Sequence, residues 1–300
     1  MASRTYERLS IEAFGTQLLF SEDLDPLYVA LQGMVQGGTD WSMDEDQLKR
    51  WLLAYVCFYH AGFACWASEH KGGAFWTQLL TAAANETEAP VGGRWPRGSE
   101  RRHFRGKNAD AALNHLMERY VFRPEGFFEH VSDAVRLREG PQETLTFAKV
   151  SERTRSHVGF GPWIGFKVAD LVDRVLGIPV AFDNAAVFMF DDPKRAAIRL
   201  WEEREGPKWP ANAQPKEAVV LEQVSEHLIR YFSGYKAPPF YDRPINIQEV
   251  ETILCKWKSH MNGHYPLFND TVEISKGLLP WAKVSITARR LLGQMPRVSE

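Results

Sequence analysis

Residues 151–190 read SERTRSHVGFGPWIGFKVADLVDRVLGIPVAFDNAAVFMF, and their pattern decides what kind of fold to expect. A helical run leads into His157, the chain turns through Gly159, Phe160 and Gly161, and a second helix is expected from Pro162. Residues 151–176 therefore read as two helices joined by a tight turn. The two glycines allow positive φ and leave backbone N–H groups unobstructed. Proline suits the first turn of a helix, where its missing donor is harmless. Exposed amides at such a helix start can receive a phosphate oxygen, which holds a nucleic-acid backbone without reading its sequence. The plain alternative is an ordinary glycine-rich connection, with Asp183 and Asn184 merely opening the next helix.

The surrounding chain carries the same helical signature. Residues 44–69 contain LKRWLLAYVCFYHAGFACWASE, apolar around most of its circumference. That predicts one buried helix, kinked at Gly62, with Ser42 as cap and Glu45 completing a capping box. Further helices are expected at 73–85, 109–120, 126–138, 144–155, 217–232, 247–261 and 277–292. Strand signals are short, at 179–182 and 271–274. A mainly α fold follows, as a single domain over residues 1–300. The stretch EGPKWPANAQPK at 205–216 offers the one place for a subdivision.

Composition narrows the function classes. A chain of 300 residues, 44% hydrophobic, can bury a substantial core. The formal net charge of −2 excludes a general polycation, so any nucleic-acid contact must come from local basic patches. Cys57, Cys65 and Cys255 show no CxxC spacing, which indicates neither zinc nor a disulfide framework and suits a reducing compartment. The N-terminus lacks a signal-peptide core, and no run approaches the roughly 20 apolar residues of a membrane helix. A soluble cytoplasmic protein, with no membrane partner, is expected. His260 and His264 are four apart, but Asn262 and Gly263 should end their helix and separate them, so no metal site is assigned. The P-loop pattern of nucleotide kinases is absent.

Two further segments carry candidate chemistry. Arg94, Arg97, Arg101, Arg102, His103, Arg105 and Lys107 lie among glycines with Trp95 and Phe104 interleaved. Such a loop can clamp phosphate oxygens, or it can be a solvated surface turn or a general contact to a DNA backbone. In EVETILCKWKSH, Glu251, Cys255 and Lys258 fall on one helical face. A carboxylate and an ammonium there could hold the two ends of an amino acid, or form a solvated stripe with Cys255 packed inward.

Gly159-Phe160-Gly161-Pro162-Trp163 resembles the turn of the helix-hairpin-helix DNA glycosylases, and Asp183 in GIPVAFD, 20 residues beyond Trp163, resembles their essential aspartate. Trp163 stands where some members carry a nucleophilic lysine, and Lys167 is one turn later, which counts against Schiff-base chemistry. With RWLLAYVCFYHAG at 50–62, PVGGRWPRGSERRHFRGK at 90–107 and VETILCKWKSHMNGHYP at 250–266, the chain also resembles the phage amino acid:DNA transferases, the α-glutamyl/putrescinyl thymine pyrophosphorylases. The resemblance runs over about residues 7–285.

That resemblance implies a glycosylase-like helical fold and a specific reaction. An amine of an amino acid or polyamine displaces pyrophosphate from a pyrophosphorylated 5-hydroxymethyluracil in double-stranded phage DNA. The Arg94–Lys107 loop would bind the pyrophosphate, on which Mg2+ could ride; the sequence itself assigns no cofactor. Gly159, Phe160, Gly161, Trp163 and Lys167 would hold the DNA backbone. Asp183 or Glu251 would take the amine's proton, with Lys258 beside the latter. A base flipped from the duplex would need an aromatic pocket, for which Tyr59, His60 and Trp163 are candidates, with Phe166 and Trp66 as further walls. A glycosylase excising a modified base, or a non-catalytic DNA-binding protein, would share the hairpin without needing the arginine loop.

Overall fold

The computed structural model describes residues 7–36, 43–96, 108–132, 145–182, 190–205 and 217–298. The mainly α expectation is met. Helices α1 (Ile11–Phe20), α2 (Pro26–Gln36), α3 (Glu45–Phe58), α4 (Ala61–Ser68) and α5 (Gly72–Ala84) are followed by α6 (Asn108–Tyr120), α7 (Gly126–Ser132), α8 (Phe147–Arg155) and α9 (Pro162–Arg174). The C-terminal part contributes α10 (Asp191–Glu205), α11 (Glu217–Phe232), α12 (Ile247–Met261), α13 (Asn269–Trp281) and α14 (Ile286–Gln294). Among the described residues, extended pairing is confined to two isolated bridges, Thr146 with Ala181 and Lys236 with Pro244. No helix among them is long and apolar enough to cross a membrane.

The chain forms two compact units, Met1–Pro26 with Phe182–Asp270 and Val298–Glu300, and Leu27–Ala181 with Thr271–Arg297. In the first, the apolar faces of α1, α10, α11 and α12 meet around Phe14, Leu18, Val224, Phe232, Ile253 and Trp257. Phe232 packs so closely that a Cβ on Gly15 of α1 would lie 2.4 Å from its ring. In the second, α3 and α4 bury almost every side chain, and Phe63, Trp66, Trp95 and Trp281 gather into one aromatic cluster. Burying such large side chains is the main favourable term available to a mainly helical fold.

Several local expectations are corrected. The 44–69 helix does not kink at Gly62; it breaks three residues earlier, where Tyr59 adopts φ 50° and ψ 44° and ends α3. His60 then caps α4, its side chain accepting the Phe63 N–H. Gly62 serves packing instead, since a Cβ there would sit 2.5 Å from Trp281 Cδ1 and 2.7 Å from the Gly277 carbonyl. Asp44 caps α3 by accepting the Gln47 N–H; Ser42 lies outside the described residues. The 277–292 helix is two helices, because Ser285 caps α14 and Glu69 accepts from both Ser285 Oγ and the Thr287 N–H. Thr271–Ile274 is helical, within α13; a short β-branched run cannot by itself distinguish a strand from a buried helix turn. Residues 179–182 make only the bridge of Ala181 to Thr146. The 206–216 stretch and the 133–138 extension of α7 lie outside the described residues.

Candidate functional site

The turn between α8 and α9 is built as its sequence dictates. Ser156 caps α8, the His157 N–H reaches the Thr154 carbonyl, and the Phe160 N–H returns to the His157 carbonyl at 3.2 Å. Gly159 sits between them at φ +83°, a conformation that costs a residue with a Cβ. Phe160 is buried as the plug of the turn. Gly161 is the N-cap of α9 in extended conformation, with Pro162 starting the helix. Among the described residues the Gly159 and Gly161 amides donate to no backbone carbonyl. Gly161 differs from Gly159: its φ is −89°, and a Cβ built on it meets nothing within 4 Å. Nothing among the described residues therefore requires glycine there. One turn on, a Cβ on Gly165 would lie 2.8 Å from Ser151 Oγ, so that glycine lets α8 and α9 cross closely.

The structure brings two of the three candidate base-pocket residues together. The Tyr59 ring, held out by the left-handed end of α3, meets Trp163 edge-on with centroids 5.5 Å apart. Both are half-buried. Tyr55 and Trp51 extend the stack down α3 at 4.7 and 5.0 Å. A bulky residue at positive φ is held there only by surrounding packing, and such positions concentrate at functional sites. His60 points differently. Its Nδ1 accepts the Phe63 N–H, so its proton lies on Nε2, and its ring neighbours Trp281. Burial lowers its pKa to about 4 and keeps it neutral. Phe166 is buried against Phe147, and Trp66 belongs to the Trp95–Trp281 cluster.

Lys167, expected at the DNA backbone, is held within the protein by a buried group. Its ammonium donates to Tyr28 Oη at 2.8 Å and to Asp170 Oδ2 at 3.3 Å. Tyr28 donates to the same carboxylate at 2.6 Å, and Arg174 lies 3.5 Å from its other oxygen. Burial pushes the Asp170 pKa up, but Lys167, Arg174 and the Tyr28 hydroxyl outweigh it and hold the carboxyl below its ordinary value. The spacing of Lys167, Asp170 and Arg174 on one helix is a signal the sequence offered; the Tyr28 partner, 142 residues away, is not.

Of the arginine loop, Arg94 is exposed in the turn after α5. Trp95 is buried, its N–H donating to Asn85 and its indole to Thr87. Arg97, Arg101, Arg102, His103, Arg105 and Lys107 lie outside the described residues, as does Asp183.

In the other unit, α12 carries Glu251, Cys255 and Lys258 half-buried along one stripe. Lys258 is paired with Asp192 at the start of α10. The residue sequence reasoning missed is the next but one before it. Lys256 is buried and donates to the Asp23 and Leu24 carbonyls at 2.7 Å and to Asp270 at 2.7 Å. Burial lowers its pKa, but Asp270, Asp25 and Asp23 together raise it. Tyr265, pushed up chiefly by burial, closes the group with a hydrogen bond to Asp23. His260 accepts the Leu9 N–H at Nε2 and meets the Tyr265 carbonyl at Nδ1, and Asn262 and Gly263 end the helix before His264. Among the described residues no group of three His, Cys, Asp or Glu side chains is arranged to hold a metal.

Comparison with known proteins adds the chemistry. A profile of the family described as amino acid:DNA transferase matches residues 41–264. A glycinyltransferase of Pseudomonas phage PaMx11 is 50% identical, covering 99% of this chain and 100% of the relative. A putrescinyltransferase of Delftia phage PhiW-14 is 28% identical, over 92% of this chain and 79% of its own length.

Proposed function

The chain belongs to the amino acid:DNA transferase family, and we propose that it joins an amino acid, glycine in the first place, to a modified thymine in phage DNA. The observation that carries the choice of donor is the 50% identity, over essentially the whole length of both chains, to a glycinyltransferase. The acceptor is a pyrophosphorylated 5-hydroxymethyluracil, as in the reaction the sequence resemblance implies. The amine nitrogen attacks the 5-methylene carbon, the carbon–oxygen bond breaks, pyrophosphate leaves, and the nitrogen gives up one proton.

Each step matches a feature of the chain. The Gly159 and Gly161 amides, which donate to no backbone carbonyl among the described residues and lie at the positive end of α9, suit a DNA phosphate. Tyr59 and Trp163, side by side, suit a base turned out of the duplex, and His60 stands next in the chain at the head of α4. The Arg94–Lys107 segment supplies cations for a leaving group bearing several negative charges, with magnesium arriving, where present, on the pyrophosphate itself. Asp183 or Glu251 takes the proton, and Lys258 is the candidate partner for the donor's carboxylate.

The test incubates the protein with DNA containing the pyrophosphorylated base and a mixture of glycine, other amino acids and putrescine, followed by mass spectrometry of the nucleosides. A glycine–thymidine adduct with released pyrophosphate, lost in Asp183→Ala and Arg102→Ala, is expected. A putrescine adduct alone would overturn the donor assignment. Abasic sites would replace the transferase reading with base excision.

A further inference from the structure

We infer that Tyr120 and His157 are positioning residues for DNA, holding the α8–α9 turn from beneath so that its open amides face a phosphate. This rests on the reading of that turn as the DNA-backbone contact.

His157 is only 2% exposed, yet it belongs to the turn itself. Its Nδ1 lies 3.1 Å from the Arg153 carbonyl and 3.2 Å from that of Thr154, so this nitrogen carries the proton and donates. The side chain thus adds a donor to two carbonyls at the end of α8, of which Arg153 also accepts the Ser156 hydroxyl and Thr154 the His157 N–H. The tautomer leaves Nε2 as an acceptor only, and the Tyr120 hydroxyl, at 2.9 Å, must donate to it. The His157 carbonyl in turn accepts the Phe160 N–H that closes the turn.

Tyr120 is a fixed point. It ends α6, its carbonyl accepts the Trp76 indole N–H at 3.1 Å, and its ring packs against Phe127. Phe127 also touches His157 and Phe160 edge-on, at 5.2 and 5.5 Å. The hydroxyl of Tyr120 thus ties α6 to His157, whose ring donates to the last carbonyls of α8 and whose backbone begins the turn. A purely apolar contact would fill the same space without setting the rotation of the ring, and the ring's rotation decides which carbonyls it caps.

The experiment compares Tyr120→Phe and Gly161→Ala with the parent protein. Affinity for a short fluorescein-labelled duplex is read by anisotropy, and KM for DNA, KM for glycine and kcat by the transfer assay. Gly161→Ala tests the turn itself, since its methyl group meets nothing among the described residues but would stand in the way of a phosphate. Tyr120→Phe removes one hydroxyl and keeps the ring. Loss of one hydrogen bond predicts that DNA binding and KM for DNA worsen by about three- to tenfold, with kcat and KM for glycine unchanged. If Gly161→Ala weakens binding while Tyr120→Phe stays within twofold of the parent, the positioning role is wrong and the DNA-contact reading stands. If neither variant weakens binding, the reading of the turn fails and takes the inference with it. A fall in kcat, or a rise in KM for glycine, without a change in KM for DNA would also overturn it.

Discussion

Replacing Asp170 by Asn should destabilise the unit that carries the α8–α9 turn far more than its near-identical shape suggests. The carboxylate is buried beneath Tyr28, with Lys167 at 3.3 Å and Arg174 at 3.5 Å. Arg174 exposes 1% of its side chain and Lys167 15%, so neither can regain water by a small movement. Asparagine would take away the negative charge that lies between these two cations. Removing one partner of a buried ion cluster costs about 3–5 kcal/mol, because the opposite charges lose the group that compensated their burial. For a body of this size that corresponds to a fall in Tm of about 6–20 °C. Calorimetry of Asp170→Asn beside the parent measures it. The double variant Lys167→Met/Asp170→Asn, which removes one of the two neighbouring cations as well, should regain part of the loss. A single variant within about 1 kcal/mol of the parent would show that solvent reaches the cluster and refute the reasoning.

Gly165→Ala should lower stability by about 1–2 kcal/mol, since the 2.8 Å approach to Ser151 Oγ outweighs the better helix propensity of alanine. Adding Ser151→Ala should restore most of it, and additivity of the two would show that α8 and α9 do not meet there. Stability should also depend on pH through His60 and His157, both held near pKa 4 chiefly by burial, against about 6.5 in an unfolded chain. Between these values the unfolded chain binds more protons, so stability is fully present above about pH 6.5 and falls as pH drops toward 4. Urea unfolding at a series of pH values measures the slope, and His157→Gln should lessen it; an unchanged slope in that variant would mean His157 does not contribute.

What the sequence made legible is what acts locally. The turn at Gly159–Pro162 follows from glycine and proline, whose backbone preferences need no partner, and the ends of α11 and α12 follow from an apolar stripe of helical period. The break at Tyr59 was not legible, because tyrosine has no preference for positive φ; packing against Tyr55 and Trp163 holds it there. The same limit hid the Tyr28–Asp170 and Asp23–Lys256 groups, whose members are far apart in the chain. It also explains Lys167. Its place one turn into α9 suggested a DNA contact, whereas a buried carboxylate three residues on draws it along the helix.

Lys258 meets the same competition in a form that can be measured. Its place with Glu251 on one face of α12 suits the carboxylate of an incoming amino acid, but Asp192 already holds it. Both members are partly exposed, at 25% and 41% of their side chains, and such pairs contribute only about 0–1 kcal/mol, so a substrate carboxylate could displace Asp192 at small expense. If it does, Asp192→Asn removes a competitor and should lower KM for glycine by up to about fivefold, while Lys258→Met should raise it. Neither variant should alter any residual transfer of putrescine, which has no carboxylate to bind. Equal KM values for glycine in the parent and both variants would instead make the pair a tie between α10 and α12, and would leave the donor's carboxylate to a cation elsewhere in the chain.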